Sequence, residues 1–394
     1  MRIPLLLIAA ALMALAALPA QARVFDESSL TGDYFWCGFY NYGTGRGSGF
    51  GILSFDGVNS YGYDADFSDT GLGANRNTQG TAAYTVTPEG FIILAGFPDD
   101  NAGDIQGALS EDASVVVIGD VDERFEQQAG YLVRQGSGFN NTSLDGTWFW
   151  AGFTENDTDR VSSIGTVAFS GAGTHTYSVT SSSFNAGANI VNTGNGTYNV
   201  NLSGTTTFVG FPDDNLETIR GAIRADGAML LVGDFNEARE QRFGAMVPQG
   251  LSYTVGTLDG SYYATGYFST GTGLSYATVS YLATVEFDGT GGFNFSVRYS
   301  DSNNGSNLTQ SGAGTYRINA DGTGWFTGFP DDLADNVNFA VAAGGDTILV
   351  AEVDESGEQQ FGVYVRNPAR QADDDDGVRE DVSGSSCFVN ILVR

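Results

Sequence analysis

The five residues Gly96-Phe97-Pro98-Asp99-Asp100 recur unchanged as Gly210-Phe211-Pro212-Asp213-Asp214 and as Gly328-Phe329-Pro330-Asp331-Asp332. Their phenylalanines stand 114 and 118 positions apart, so the chain writes one unit three times. A second acidic element follows at a fixed offset of 23 from each phenylalanine, at Gly119-Asp120-Val121-Asp122-Glu123, Gly233-Asp234-Phe235-Asn236-Glu237 and Ala351-Glu352-Val353-Asp354-Glu355. Glu126, Glu240 and Glu358, each followed by Gln, recur at a fixed offset of 29. Upstream, each unit opens on Leu-x-Gly-x-aromatic: Leu30 to Tyr34, Leu144 to Trp148 and Leu258 to Tyr262. The extra residues of the third unit therefore fall in its first half.

Between these landmarks the pattern is that of short strands and turns. In the middle unit, runs at 147–153, 164–169, 175–179, 196–200, 206–211, 219–224, 229–235 and 243–247 are rich in β-branched and aromatic residues and are bounded by Gly, Asn and Asp. No segment has a helical period. With 55 Gly, 8 Pro and 12% aromatics, the composition fits tight turns between strands. The expectation is an all-β chain of three tandem eight-stranded antiparallel units, barrel-like or sandwich. Their limits are 23–138, 139–254 and 255–369, with each unit folding separately.

The first 22 residues read as an export signal: Arg2, an apolar stretch from position 4 to 18, and the small-x-small run Ala20-Gln21-Ala22 before the cut. The stretch is too short for a spanning helix, and membrane insertion is not expected. Acids number 47 against 17 basic residues, all Arg, for a net charge of −30. That field repels nucleic acid and anionic lipid. The expected setting is the extracellular medium or cell surface, or the periplasm, with an unidentified surface or polysaccharide as partner.

Gly146-Thr147-Trp148 resembles the Gly-x-Trp opening of the calycin barrels, the lipocalin and avidin group. Gly32-Asp33-Tyr34 and Gly260-Ser261-Tyr262 are further copies. The resemblance implies that an Arg of the last strand stacks on the first-strand ring. Arg134 and Arg366 stand at that place, and Pro248 takes it in the middle unit. It implies a barrel, and no particular ligand.

Phe-Pro-Asp-Asp is good turn chemistry, since Pro presets φ and Asp suits the next position. In an up-and-down unit it would share one rim with the second acidic element. That rim would gather Asp99, Asp100, Asp120, Asp122 and Glu123 in the first unit. It would gather Asp213, Asp214, Asp234 and Glu237 in the second, and Asp331, Asp332, Glu352, Asp354 and Glu355 in the third. The turn 155–159 adds more acids to the second rim. Clustered carboxylates are the hard oxygen ligands that Ca²⁺ takes, so Ca²⁺ is the candidate cofactor, and an acidic solvated surface is the alternative.

Catalytic constellations are nearly missing. His175 is the sole His, and no Gly-x-Ser-x-Gly occurs. The reading is a non-enzymatic structural, adhesive or ligand-binding array. Its rival is a secreted carboxylate-dependent glycoside hydrolase. The aromatic opening strands read as core. Cys37 falls where the other units have Ala151 and Thr265, which suits a small packed side chain. After Pro368 the repeats give way to an acidic stretch, 370–394, expected to be disordered. It ends in Cys387-Phe388-Val389, which resembles the short carboxy-terminal processing tags of some exported bacterial proteins.

Overall fold

The computed structural model describes residues 23–42, 45–97, 104–211, 219–234, 240–272, 275–329 and 336–367. The chain forms three closed eight-stranded barrels in which every neighbouring pair is antiparallel, so the sandwich alternative falls away. The first barrel comprises β1 (Thr31–Asn41), β2 (Arg46–Asp56), β3 (Ser60–Asp69), β4 (Gly73–Val86), β5 (Phe91–Ala95), β6 (Asp104–Leu109), β7 (Val115–Asp120) and β8 (Gln127–Arg134). The second comprises β9 (Asp145–Asn156), β10 (Arg160–Ser170), β11 (Thr174–Ser183), β12 (Gly187–Val200), β13 (Thr205–Val209), β14 (Ile219–Ile223), β15 (Leu230–Asp234) and β16 (Glu240–Pro248). The third comprises β17 (Asp259–Thr272), β18 (Ser275–Asp288), β19 (Gly292–Asp301), β20 (Gly305–Ile318), β21 (Thr323–Thr327), β22 (Asn336–Val341), β23 (Thr347–Ala351) and β24 (Glu358–Arg366). Among the described residues no helix is long and apolar enough to cross a membrane.

Strands β10 to β12 extend well past the hydrophobic runs that mark them in the sequence. Their extensions are mostly Ser, Thr, Asn and Gly, with Val161, Ile190 and Val191 among them, and are held by ladder hydrogen bonds; much of β12 is exposed on one face and half-buried on the other.

One end of each barrel is sealed. A single 3₁₀ turn lies across it, at Glu27–Ser29, Asn141–Ser143 and Val255–Thr257. The Tyr84 hydroxyl donates to the carbonyls of Glu27 and Leu30, and Tyr198 and Tyr316 repeat this bond in the other units. The opening strand closes the same end. Arg134 stacks 5.4 Å over the Tyr34 ring and Arg366 stacks 5.0 Å over Tyr262, the calycin-like arrangement.

Alternation along the opening strands explains how the units combine. Tyr34, Trp36 and Tyr40 point into the first barrel, while Phe35, Cys37 and Phe39 point out of it, yet all six are buried. The outward faces of β1 and β8, β9 and β16, and β17 and β24 form one continuous apolar cluster between the barrels. At its middle Phe39, Phe153 and Tyr267, one equivalent residue from each unit, meet with centroids 4.7 to 5.4 Å apart. Backbone bonds close the ring at the sealed ends. Ala225 donates to the Arg134 carbonyl, Ala343 to Pro248, and Glu111 to Arg366, at 2.8 to 3.0 Å. The three units thus surround a pseudo-threefold axis and share a core.

Candidate functional site

The turns after β1, β3, β5 and β7 lie at the unsealed end of each barrel, by strand order alone. Of the acids predicted to gather there, Asp120, Asp122, Glu123, Glu155, Asp157, Asp159, Asp234, Glu352, Asp354 and Glu355 are described. Asp99, Asp100, Asp213, Asp214, Glu237, Asp331 and Asp332 lie outside the described residues, as do Ala22 and Cys387.

The described acids face two ways. The Asp120 side chain turns back on its own loop and accepts the amides of Asp122 and Glu123. Glu352 does the same for Asp354. Burial raises the Asp120 carboxyl well above the usual carboxylate range, with Asp122 beside it adding to the rise. The main chain of this element faces the next unit. Ser48 of the first unit donates to the Asp234 carbonyl of the second at 2.7 Å. Equivalent Ser162 of the second donates to Glu352 of the third, and Ser280 of the third to Asp120 of the first. One residue pair is therefore repeated around the ring. Ser182 and Ser300 add bonds to the carbonyls of Glu355 and Glu123. Asn189 and Asn307, both in the left-handed region at φ near +55°, place their amides on the carbonyls of Val353 and Val121. The repetition of this acidic element in the sequence thus serves the joint between units. Among the described residues no group of three or more His, Cys, Asp or Glu is placed to hold a metal ion.

Cys37 packs in the same joint, its thiol 3.4 Å from the Val232 carbonyl, and burial pushes its pKa up. Thr265 makes the corresponding bond to Ile118 at 3.1 Å. Small side chains at this position let the barrels approach.

The barrel interiors differ more than their outer faces. In the first, Trp36 lies over Gly38, Gly49 and Gly130, with Phe97 edge-on at 5.1 Å. In the second, Trp150 lies over Gly152 and Gly244, with Phe211 at 5.0 Å. In the third, the same strand position is Ala264, and Tyr281 reaches from β18 to cover Gly266 and Gly362 instead. Above that phenol is a cavity of about 250 Å³ lined by Phe268, Tyr281, Tyr299, Phe329, Asp301 and Glu358, with Val279, Val297, Thr270 and Gln310 completing the wall. Sequence reasoning missed this cavity. Its trace was the exchange of Trp36 and Trp150 for Ala264 at matched positions.

No family model matches the chain, and no curated protein matches it. Among solved structures it is similar to transferrin binding protein B of Haemophilus parasuis, at 10% identity over 86% of this chain and 76% of that one, with a TM-score of 0.27. The protein of the same name from Neisseria meningitidis gives 9% identity over 82% and 65%, with a TM-score of 0.25. A protein of unknown function from Nostoc punctiforme gives 8% over 86% and 96%, with a TM-score of 0.20. At such scores none of the three carries an argument about this chain; the barrel assignment rests on its own strand pairing.

Proposed function

We propose that the chain is an exported, non-enzymatic binding protein whose third barrel takes a small ligand, the other two barrels holding it in one rigid body at the cell surface or in the medium. The observation that carries this reading is the cavity of about 250 Å³ at the unsealed end of the third barrel, walled by aromatic rings and a few polar groups. Such concave, mostly apolar spaces with sparse polar groups are the usual form of a small-molecule site.

The hydrolase reading draws on Asp301 and Glu358, which both line this cavity. Two facts weigh against it. Asp301 already accepts the amides of Asn303 and Asn304 as a turn cap. Asp69 and Glu126 stand at the same two positions of the first unit, so the pair is not particular to this cavity, although the second unit has Ser183 in place of the aspartate.

Thr270→Trp, at the half-buried mouth, tests the binding reading. A thermal-shift panel of aromatic amines, acids and alcohols should give stabilising compounds for the wild type that lose their effect on this variant. A panel in which no compound separates the two proteins would remove the reading.

A further inference from the structure

Each barrel carries an inward carboxylate at the start of its last strand or in the turn before it: Glu126, Glu240 and Glu358. In the second barrel the chain answers it with a cation of its own. Arg242 is buried, with Nη2 3.1 Å from Glu240 and Nε donating to Thr154 at 3.1 Å. In the first barrel tyrosines fill the mouth. Tyr40 and Tyr42 stack at 5.8 Å, and both hydroxyls donate to Asp69. The third barrel has neither device. Gln360 stands at the place of Arg242, Phe268 at that of Tyr40 and Thr270 at that of Tyr42. What remains is the cavity, with the rings of Phe268, Tyr281, Tyr299 and Phe329, the carboxylates of Asp301 and Glu358, and no basic side chain in its wall.

We propose that the third barrel binds a small organic cation, a protonated amine or guanidinium on an apolar or aromatic body, in the space corresponding to the one Arg242 fills in the second. This rests on the binding reading above and narrows it to one ligand class. Ring faces attract cations electrostatically, most strongly where water is excluded. The carboxylates supply charge complementarity, and the net charge of −30 repels an anionic ligand of the same shape. The second barrel shows that the scaffold accommodates a guanidinium beside the equivalent glutamate.

Isothermal titration of the exported chain with phenethylammonium, 2-phenylethanol and 3-phenylpropionate tests this. The ammonium should bind about tenfold tighter than the alcohol, or about 1.4 kcal/mol. The carboxylate should not bind. Glu358→Gln should weaken the ammonium about tenfold and leave the alcohol unchanged. Gln360→Arg, which installs the arginine of the second barrel, should abolish ammonium binding, with circular dichroism reporting that the fold is retained. Equal affinity for alcohol and ammonium, or ammonium binding indifferent to both substitutions, overturns the cation inference while leaving a binding site. Binding of none of the three probes overturns it as well, and the panel with Thr270→Trp then judges the binding reading separately.

Discussion

The rings of Phe39 and Tyr267 lie 4.7 Å apart at 62°, although 228 residues separate them along the chain. The contact joins the first unit to the third, with Phe153 of the second completing the triangle. Each of these residues faces out of its own barrel. In an isolated unit this face, with Phe149, Phe153, Phe243 and Val247 on the second, would meet water. Exposing an apolar patch of that kind carries a cost in stability and solubility.

The first prediction follows from this shared core. Phe153→Ala removes a buried ring that touches all three units and should cost about 3–5 kcal/mol. Calorimetry should show one transition moving to lower temperature. The sequence reading of three separately folding units expects instead that only the second unit is lost. Two resolved transitions, with one alone displaced, would support separate folding against the shared core.

A second prediction concerns the repeated serine bond. Ser48, Ser162 and Ser280 each donate to the carbonyl of the acidic element of a neighbouring unit. Each Ser→Ala change leaves a buried carbonyl without that donor and should cost about 1 kcal/mol in denaturant titration. The three sites lie in separate joints, so the costs should add within about 0.5 kcal/mol. A triple variant as stable as the wild type would mean that these bonds contribute nothing to holding the ring.

Much of the fold was legible because it is local. The repeat spacing, the turn residues and the opening motif Leu-x-Gly-x-aromatic locate eight strands per unit, and Arg134 meets Tyr34 as the calycin resemblance implies. What the sequence conceals is which neighbour the second face of a strand meets. Tyr34-Phe35-Trp36-Cys37 is apolar on both faces, and a run of that kind reads equally as the core of one barrel or as the contact between two. For the same reason the acidic element was legible as a repeated feature but not as a joint. Its side chains suggested a ligand, whereas its carbonyls, which every residue carries, make the contacts across units. The cavity was hidden differently: it depends on three matched positions, Trp36, Trp150 and Ala264, and on the phenol of Tyr281 arriving from another strand.

Ca²⁺ at the unsealed ends stays a proposal resting on Asp99, Asp100, Asp213, Asp214, Asp331 and Asp332 in the sequence. If the folded chain alone binds the ion, stability should rise by about 2.7 kcal/mol per site at a hundredfold excess over Kd. Matched NaCl controls for general screening of the acidic surface. The joint variant Asp213→Asn with Asp214→Asn should remove one site's share of the Ca²⁺-specific rise. Equal stabilisation by Ca²⁺ and matched NaCl would reduce the motif to a turn on a solvated acidic surface.

His175 supplies a pH-dependent prediction that one substitution isolates, since it is the sole His. It points into the second barrel at the place held by Tyr61 and Phe293 in the others, buried among Phe169, Phe208 and Phe211 with centroids about 6 Å away. Burial lowers its pKa below the ordinary imidazole value. The unfolded chain, with an imidazole near ~6.5, therefore binds the proton more readily than the folded one. Stability from this source is complete above that unfolded value and is lost as pH falls through it toward the lowered folded value. His175→Phe supplies the side chain that the third unit already uses. It should remove the loss of stability that His175 contributes between about pH 6.5 and pH 5, where the raised Asp120 carboxyl acts in the opposite sense, and leave the neutral-pH fold intact. A slope in that window left unchanged by the substitution would assign the proton uptake to another group.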